Sequence, residues 1–327
     1  MPIEKVARGY KTTCLMDFET SFGEAPAVAA GKLLPLNAFN LNVSRTKNSP
    51  ATLTGRRDPA EPFDGNTEVS GSLTVPVDAR AFPCWLKLLL GEPTSTGTTA
   101  EGSDAATAPY THVFRPGDTS PSALIQASYG TTPPSYGTFT GCKVSSLALQ
   151  AGGDGELTAT VNLAGRGADF TETNYNPAAQ MVPLKRFNNF QATLKDGGQA
   201  VATVTQFSLT IDNRLDTSIR TLGSGGMVYD IPEGIMSVSG SMTALFTSLA
   251  LLNKAKNSTE MSLELGWIID ENTKLFFKLP EVQIQFQGPT VDGPSGVMTE
   301  YPFVAYFNDS ADNACVIATV INDVEAY

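Results

Sequence analysis

The chain states one pattern twice. Val69-Ser70-Gly71-Ser72-Leu73-Thr74 returns as Val238-Ser239-Gly240-Ser241-Met242-Thr243, an offset of 169 residues. Upstream, Phe39-Asn40-Leu41-Asn42-Val43-Ser44 is echoed by Phe207-Ser208-Leu209-Thr210-Ile211-Asp212 at an offset of 168. Two matched blocks at almost constant spacing predict a duplicated domain. The period far exceeds the roughly 20–50 residues of a solenoid unit. Two like domains in one chain suit a protein that builds something symmetric, each half in an equivalent place.

The repeated blocks read as strands. Phe39, Leu41 and Val43 alternate with Asn40, Asn42 and Ser44; Val69, Gly71, Leu73 and Val75 alternate with Ser70, Ser72 and Thr74. The same period of two runs through Leu157–Leu163, Phe207–Asp212 and Val282–Phe286. One apolar and one polar face per strand predicts antiparallel sheets, half-buried. Gly152-Gly153-Asp154-Gly155, Asp196-Gly197-Gly198 and Asp292-Gly293-Pro294 supply turns between strands.

One helix is expected after each VSGS-type strand. Phe82, Trp85, Leu86, Leu89 and Leu90 fall at helical spacing, with Asp78 as N-cap and Gly91 as terminator. Leu245, Leu249 and Leu252 form a shorter stripe in the second half. The fold class expected is mainly β: two tandem β-sandwich or barrel domains, each with one flanking α-helix, over residues 1–170 and 171–327. Residues 168–182 read as the linker. Long loops are expected at Arg45–Asn66 and Asn213–Asp230, and a flexible excursion at 91–109. A loop of that length in a compact domain is usually functional or mobile.

Charge excludes one class of function. The formal net charge is −11, and no basic cluster exceeds Arg56-Arg57 or Lys185-Arg186. A protein that grips nucleic acid needs a concentrated basic surface. Mean hydropathy of −0.07 and the lack of any apolar run near 20 residues argue against a membrane span. Met1-Pro2-Ile3-Glu4-Lys5 lacks the regions of a signal peptide, and Cys14, Cys84, Cys142 and Cys315 form no C-x-x-C pair. Reduced, mostly buried thiols in a cytosolic protein, with no zinc site, are the simplest expectation.

Catalytic constellations are scarce. The single histidine, His112, lies in a strand-like context and reads as structural. No nucleophile elbow, P-loop, H-E-x-x-H or EF-hand string occurs. Gly223-Ser224-Gly225-Gly226 lacks the following Lys-Ser/Thr of a phosphate cradle, so it reads as a flexible tip. Asp17/Glu19 and Asp309/Asp312 are expected to be solvated surface pairs. No catalytic residue, cofactor or metal is expected, and Trp85 is expected in the core.

Phe18-Glu19-Thr20-Ser21-Phe22-Gly23-Glu24-Ala25-Pro26, Leu34-Pro35 and Val69–Val75 resemble the tail tube proteins of long-tailed bacteriophages. So do Gly141-Cys142-Lys143-Val144, Leu157–Val161 and Gly165-Arg166. The first half matches that pattern nearly end to end; the second keeps the two early strands and the helix. The resemblance implies subunits that join sheets side by side into rings around a β-barrel lumen, with the long loop reaching between stacked rings. For a tandem-domain member it implies a ring of three chains. It also implies tail terminator, tape measure and baseplate or tip proteins as partners, assembly in the host cytoplasm, and DNA passing without specific binding.

Arg56, Arg57, Asp58, Asp64, Arg214, Asp216 and Arg220 are then the stacking residues expected, and Trp85, Leu86, Leu89, Leu249 and Leu252 the helix packing. An acidic protein with Ser, Thr, Asn and Gln on its strand faces suits a net negative lumen to which DNA does not adhere. Two other classes compete: a secreted carbohydrate-binding β-sandwich module, with those polar faces as ligand surface, and a hydrolase with an unrecognised carboxylate pair.

Overall fold

Alternation becomes pairing throughout the computed structural model, which describes residues 6–99, 106–201, 203–291, 293, 296–307 and 311–327. The first half contributes β1 (Thr13–Phe18), β2 (Lys32–Leu34), β3 (Ala38–Phe39), β4 (Asn42–Asn48) and β5 (Phe63–Pro76). Helix α1 (Phe82–Leu90) follows, then β6 (Thr94–Thr99), β7 (Ala106–Phe114) and β8 (Ala123–Ser128). β9 (Tyr136–Ala151), β10 (Thr158–Gly165) and β11 (Gly167–Thr171) complete it. The second half contributes β12 (Ala192–Asp196), β13 (Gln199–Ala200), β14 (Val204–Asp212) and β15 (Ser237–Leu245). Helix α2 (Ala250–Lys256) precedes β16 (Met261–Asp270), β17 (Thr273–Ile284), β18 (Met298–Ala305) and β19 (Ile317–Asn322). The protein is mainly β, with large antiparallel sheets.

Each half has two layers that share one long strand. In the first, β4, β5, β10 and the C-terminal part of β9 form one layer; β1, β8, the N-terminal part of β9 and β11 form the other. In the second, β14, β15, β18 and the end of β17 form one layer, and β12, β16, the start of β17 and β19 the other. The registers also recur. Phe39 faces Leu73 and Val43 faces Val69, as Phe207 faces Met242 and Ile211 faces Val238. Leu163 then faces Gly71, as Phe303 faces Gly240.

The repeated glycine has a physical cause. A Cβ on Gly71, whose φ is +157°, would lie 2.2 Å from the Asn40 carbonyl oxygen. A Cβ on Gly240 would lie 2.0 Å from the Ser208 carbonyl oxygen. At both places a neighbouring strand passes too close for any side chain.

The two halves are joined in two ways. β14 pairs along β9, Phe207 opposite Ala151 through Asp212 opposite Ser146, so one sheet runs from β4 to β18. The β6–β7 hairpin crosses over, and β7 pairs with β19 from Phe114–Ala318 to Tyr110–Asn322. One apolar core spans both halves, Leu149 and Leu209 included. The expected excursion at 91–109 is therefore largely a strand hairpin, although residues 100–105 lie outside the described residues. The expected linker likewise carries β11, and beyond it Val182 N donates to Leu33 O at 2.9 Å and Phe187 N to Val77 O at 3.0 Å. It is laid along the first half, not slung free of it.

The helices differ. Asp78 accepts from the backbone N–H groups of Arg80, Ala81 and Phe82 and so fixes the turn entering α1. Trp85, Leu86 and Leu89 are buried. α2 starts only at Ala250, which turns its inner face to Leu251 and Ala255. Leu249 precedes the helix and stands 56% exposed, and Leu252 is half-buried, so the expected stripe is displaced. Strand β17 ends at Ile284, leaving Phe286 exposed beyond it. Among the described residues no helix is long and apolar enough to cross a membrane.

His112 is fully buried on β7. Its Nε2 lies 2.8 Å from the Val324 carbonyl, which can only accept, so Nε2 carries the proton and Nδ1 accepts from Ser95 Oγ at 2.8 Å. Burial holds its pKa below the usual 6.5 despite the Val324 bond. The unfolded chain then takes up the proton first as pH falls. Stability from this group is complete above about 6.5 and declines below it, by at most about 1.4 kcal/mol per pH unit. Because the chain has one histidine, thermal unfolding followed from about pH 8 to 5.5 isolates the effect. His112→Gln is expected to flatten that slope; an unchanged slope would remove the assignment.

Candidate assembly surfaces

Four successive antiparallel pairings carry β4 to β14, so the two strands run the same way. The segments that follow them therefore leave the same end of the sheet. β4 and β5 pair past Arg45–Thr67 up to Asn48–Phe63, so the expected loop Arg45–Asn66 is a two-stranded arm with a tip at residues 49–62. The second segment, 213–236, does not project as an arm. Arg45 donates to Gly225 O at 2.8 Å and Thr67 N to Gly226 O at 3.0 Å, so the glycine-rich stretch presents carbonyls to the first half's arm. It is docked there, not a free tip.

Three polar side chains, Asn213, Lys143 and Glu233, secure that docking. Asn213 Nδ2 donates to Leu89 O at 2.9 Å and Val144 O at 3.0 Å. Lys143 Nζ donates to Ile231 O at 3.0 Å and pairs with Glu233 at 2.9 Å. Glu233 also accepts from Ser120 N at 2.9 Å. Burial alone would raise the Glu233 carboxyl, but hydrogen bonds from Ser120 and Lys143 outweigh it and hold the group below its usual value. Val228 and Ile231 cover Ala164 beside Phe22 and Leu215.

The charged residues expected to stack are mostly satisfied within the chain. Arg56 Nε donates to Asp58 at 3.0 Å. Asp64 pairs with Lys47 and Arg45, and the Lys47 contact holds its carboxyl below the usual value. Asp216 accepts from Ser218 N and Oγ in its own turn, which lowers it likewise. Arg220 folds back on the carbonyls of Thr217, Ser218 and Gly226. Arg57 and Arg214 stay exposed, Arg214 in left-handed backbone at φ 47°.

The outer face of the joined sheet is mostly polar, with Val304 exposed among the polar residues near its β18 edge. Ser70, Ser72, Thr74, Asn162, Ser146, Ser208, Thr210, Ser239 and Ser241 alternate with the buried apolar residues. Glu68, Asp212 and Glu300 lie on the same side by the same alternation, and none is buried. Lys143, the base paired beside Ala164, lies buried beneath the 213–236 segment.

The proposed carboxylate pairs have other work. Glu19 accepts from Gly23 N, Ser122 Oγ and Gly141 N at 2.6–2.8 Å, pinning three segments together. Asp17 is buried and accepts from Ala30 N at 2.9 Å and Tyr175 Oη at 3.1 Å. Neither is a solvated surface acid. Asp312 pairs with Lys278 at 2.7 Å, and Asp309 lies outside the described residues. The sequence reading placed Asp78 at the helix entry, where it stands, but missed the Glu19 staple and the Lys143–Glu233 pair. Their only sequence signal was acidic or basic residues inside otherwise apolar or glycine-bounded stretches.

A layered antiparallel sheet thus extends from half to half, with docked loops at one end. The chain belongs to the phage tail tube protein family, whose model matches residues 9–305. That family is structural and non-enzymatic, and membership implies a place in the virion tail and self-assembly into a tube with other tail proteins. No curated protein is similar enough to the chain to count as a relative.

Proposed function

We propose that the two halves are a duplicated tail tube domain and that three chains close a ring of six such domains. The observation that carries this reading is the β9–β14 junction, in which one half's sheet continues into the other's with recurrent registers on both sides. The far edges match that junction. Among the described residues β4 pairs with β5 alone, and beyond Gln285, whose N–H donates to Pro302 O at 2.7 Å, the edge next to β18 carries no paired strand. Offset by 168 residues, Phe207–Asp212 corresponds to Phe39–Ser44, so Phe39–Ser44 of one copy would pair along residues 285–290 of the next. An exposed edge of this kind recruits a strand.

In that ring the polar face lines a lumen for DNA. Serine, threonine and asparagine with Glu68, Asp212 and Glu300 give it a negative sign, which disfavours adhesion of phosphates. Tail terminator, tape measure and baseplate or tip proteins would meet the tube at its ends, after assembly in the host cytoplasm. Native mass spectrometry and electron microscopy of purified protein test the reading. Three-chain rings with pseudo-sixfold symmetry are expected; six chains per ring, or only monomers at high concentration, would overturn it.

A further inference from the structure

Two leucines stand out by where they recur. Leu53 and Leu222 are fully exposed, one on each of the two segments that leave the same end of the sheet. Each follows a threonine, and the two Thr-Leu pairs are 169 residues apart, the offset of the VSGS strands. A glycine in left-handed backbone follows each, Gly55 two residues on at φ 71° and Gly223 directly after at φ 88°. A single exposed leucine needs no explanation. Two at equivalent positions on the same rim do, because the arginines and aspartates around them are mostly satisfied internally.

The opposite rim carries two clefts, each of about 340 Å³. One is walled by Leu34, Leu36, Pro76 and Val182, with Asn37 and Arg186 at its polar side; the other by Leu194, Val204, Phe207 and Leu265, with Asn189 and Gln206 at its polar side. They hold equivalent places too. Leu36 and Val204 differ by the strand offset of 168, and Thr13 and Thr193 enter their clefts from matching strands, paired with Ser128 and Gly266. Two apolar knobs at one end and two sockets with apolar walls and polar sides at the other make a head-to-tail surface, which generates an open stack.

Resting on the tube reading above, we infer that Leu53 and Leu222 insert into these clefts of a second copy in the adjoining ring. Burial of each leucine then supplies the apolar part of stacking that the internally paired charges do not. Leu53→Asp/Leu222→Asp should leave thermal unfolding unchanged and still give three-chain rings, but raise the concentration needed for tubes about tenfold per lost leucine. Tubes at the wild-type concentration would overturn the inference. In a second measurement Leu222→Cys carries an environment-sensitive dye, whose emission should shift to the blue on polymerisation. Unshifted emission in formed tubes would overturn it as well. Wild-type protein that forms neither rings nor tubes would instead count against the tube reading, so the two failures are separable.

Discussion

Trp85→Ala is expected to lower stability by about 3–5 kcal/mol in denaturant unfolding, the range for losing a buried aromatic ring. The ring is 1% exposed, in a helix whose other apolar residues are nearly all buried against β7 and β9. Asp78 fixes the entry to that helix, so the surrounding turns have little freedom to collapse into the space. Leu249→Ala is the matched control: its side chain reaches solvent, and a loss within about 0.5 kcal/mol is expected. A loss below about 1 kcal/mol for Trp85→Ala would show that α1 is not locked against the sheet.

Lys143→Met should cost a comparable amount, about 3–5 kcal/mol, because it leaves the Glu233 carboxylate buried without its cation. The two side chains are 9% and 17% exposed, so water does not replace the lost partner. The double variant Lys143→Met/Glu233→Gln should recover much of that loss, since it removes both charges while keeping a group for Ser120 to bond. A double-mutant cycle reads the coupling directly. The sign with pH follows from the lowered Glu233 carboxyl: its contribution is present above its ordinary pKa of 4.5 and is lost as pH falls through the folded value. Simple additivity of the two substitutions would show that the pair does not hold the 213–236 segment to the first half.

The strands were legible because their one buried face imposes a period of two, and the repeat was legible because strand registers force glycine at Gly71 and Gly240. Where a residue's place depends on distant chain, the sequence was mute. Nothing local marks β7 as the partner of β19, and 94–99 is too rich in Thr, Ser and Gly to announce a strand. The second helix was misplaced because Leu245, Leu249 and Leu252 match helical spacing while Leu245 ends a strand. The loop charges were legible only as charges in long segments; that both segments leave one end of the sheet follows from the pairings, and whether a charge is free or already paired depends on neighbours such as Lys47 and Ser218. Periodicity carries no trace of those.

The β7–β19 pairing sets a difficulty for synthesis. About two hundred residues separate the two strands, and the ribosome makes β7 first. At roughly 5–20 residues per second, β7 waits roughly 10–40 s with one edge bare. Through that interval it offers the same hydrogen-bonding edge to any β19 that arrives, including one from a neighbouring nascent chain. Crowding on one message therefore favours exchanged pairs, whose contacts match those of the lone chain. The second half is finished only with a strand that the first half has already laid down and left open.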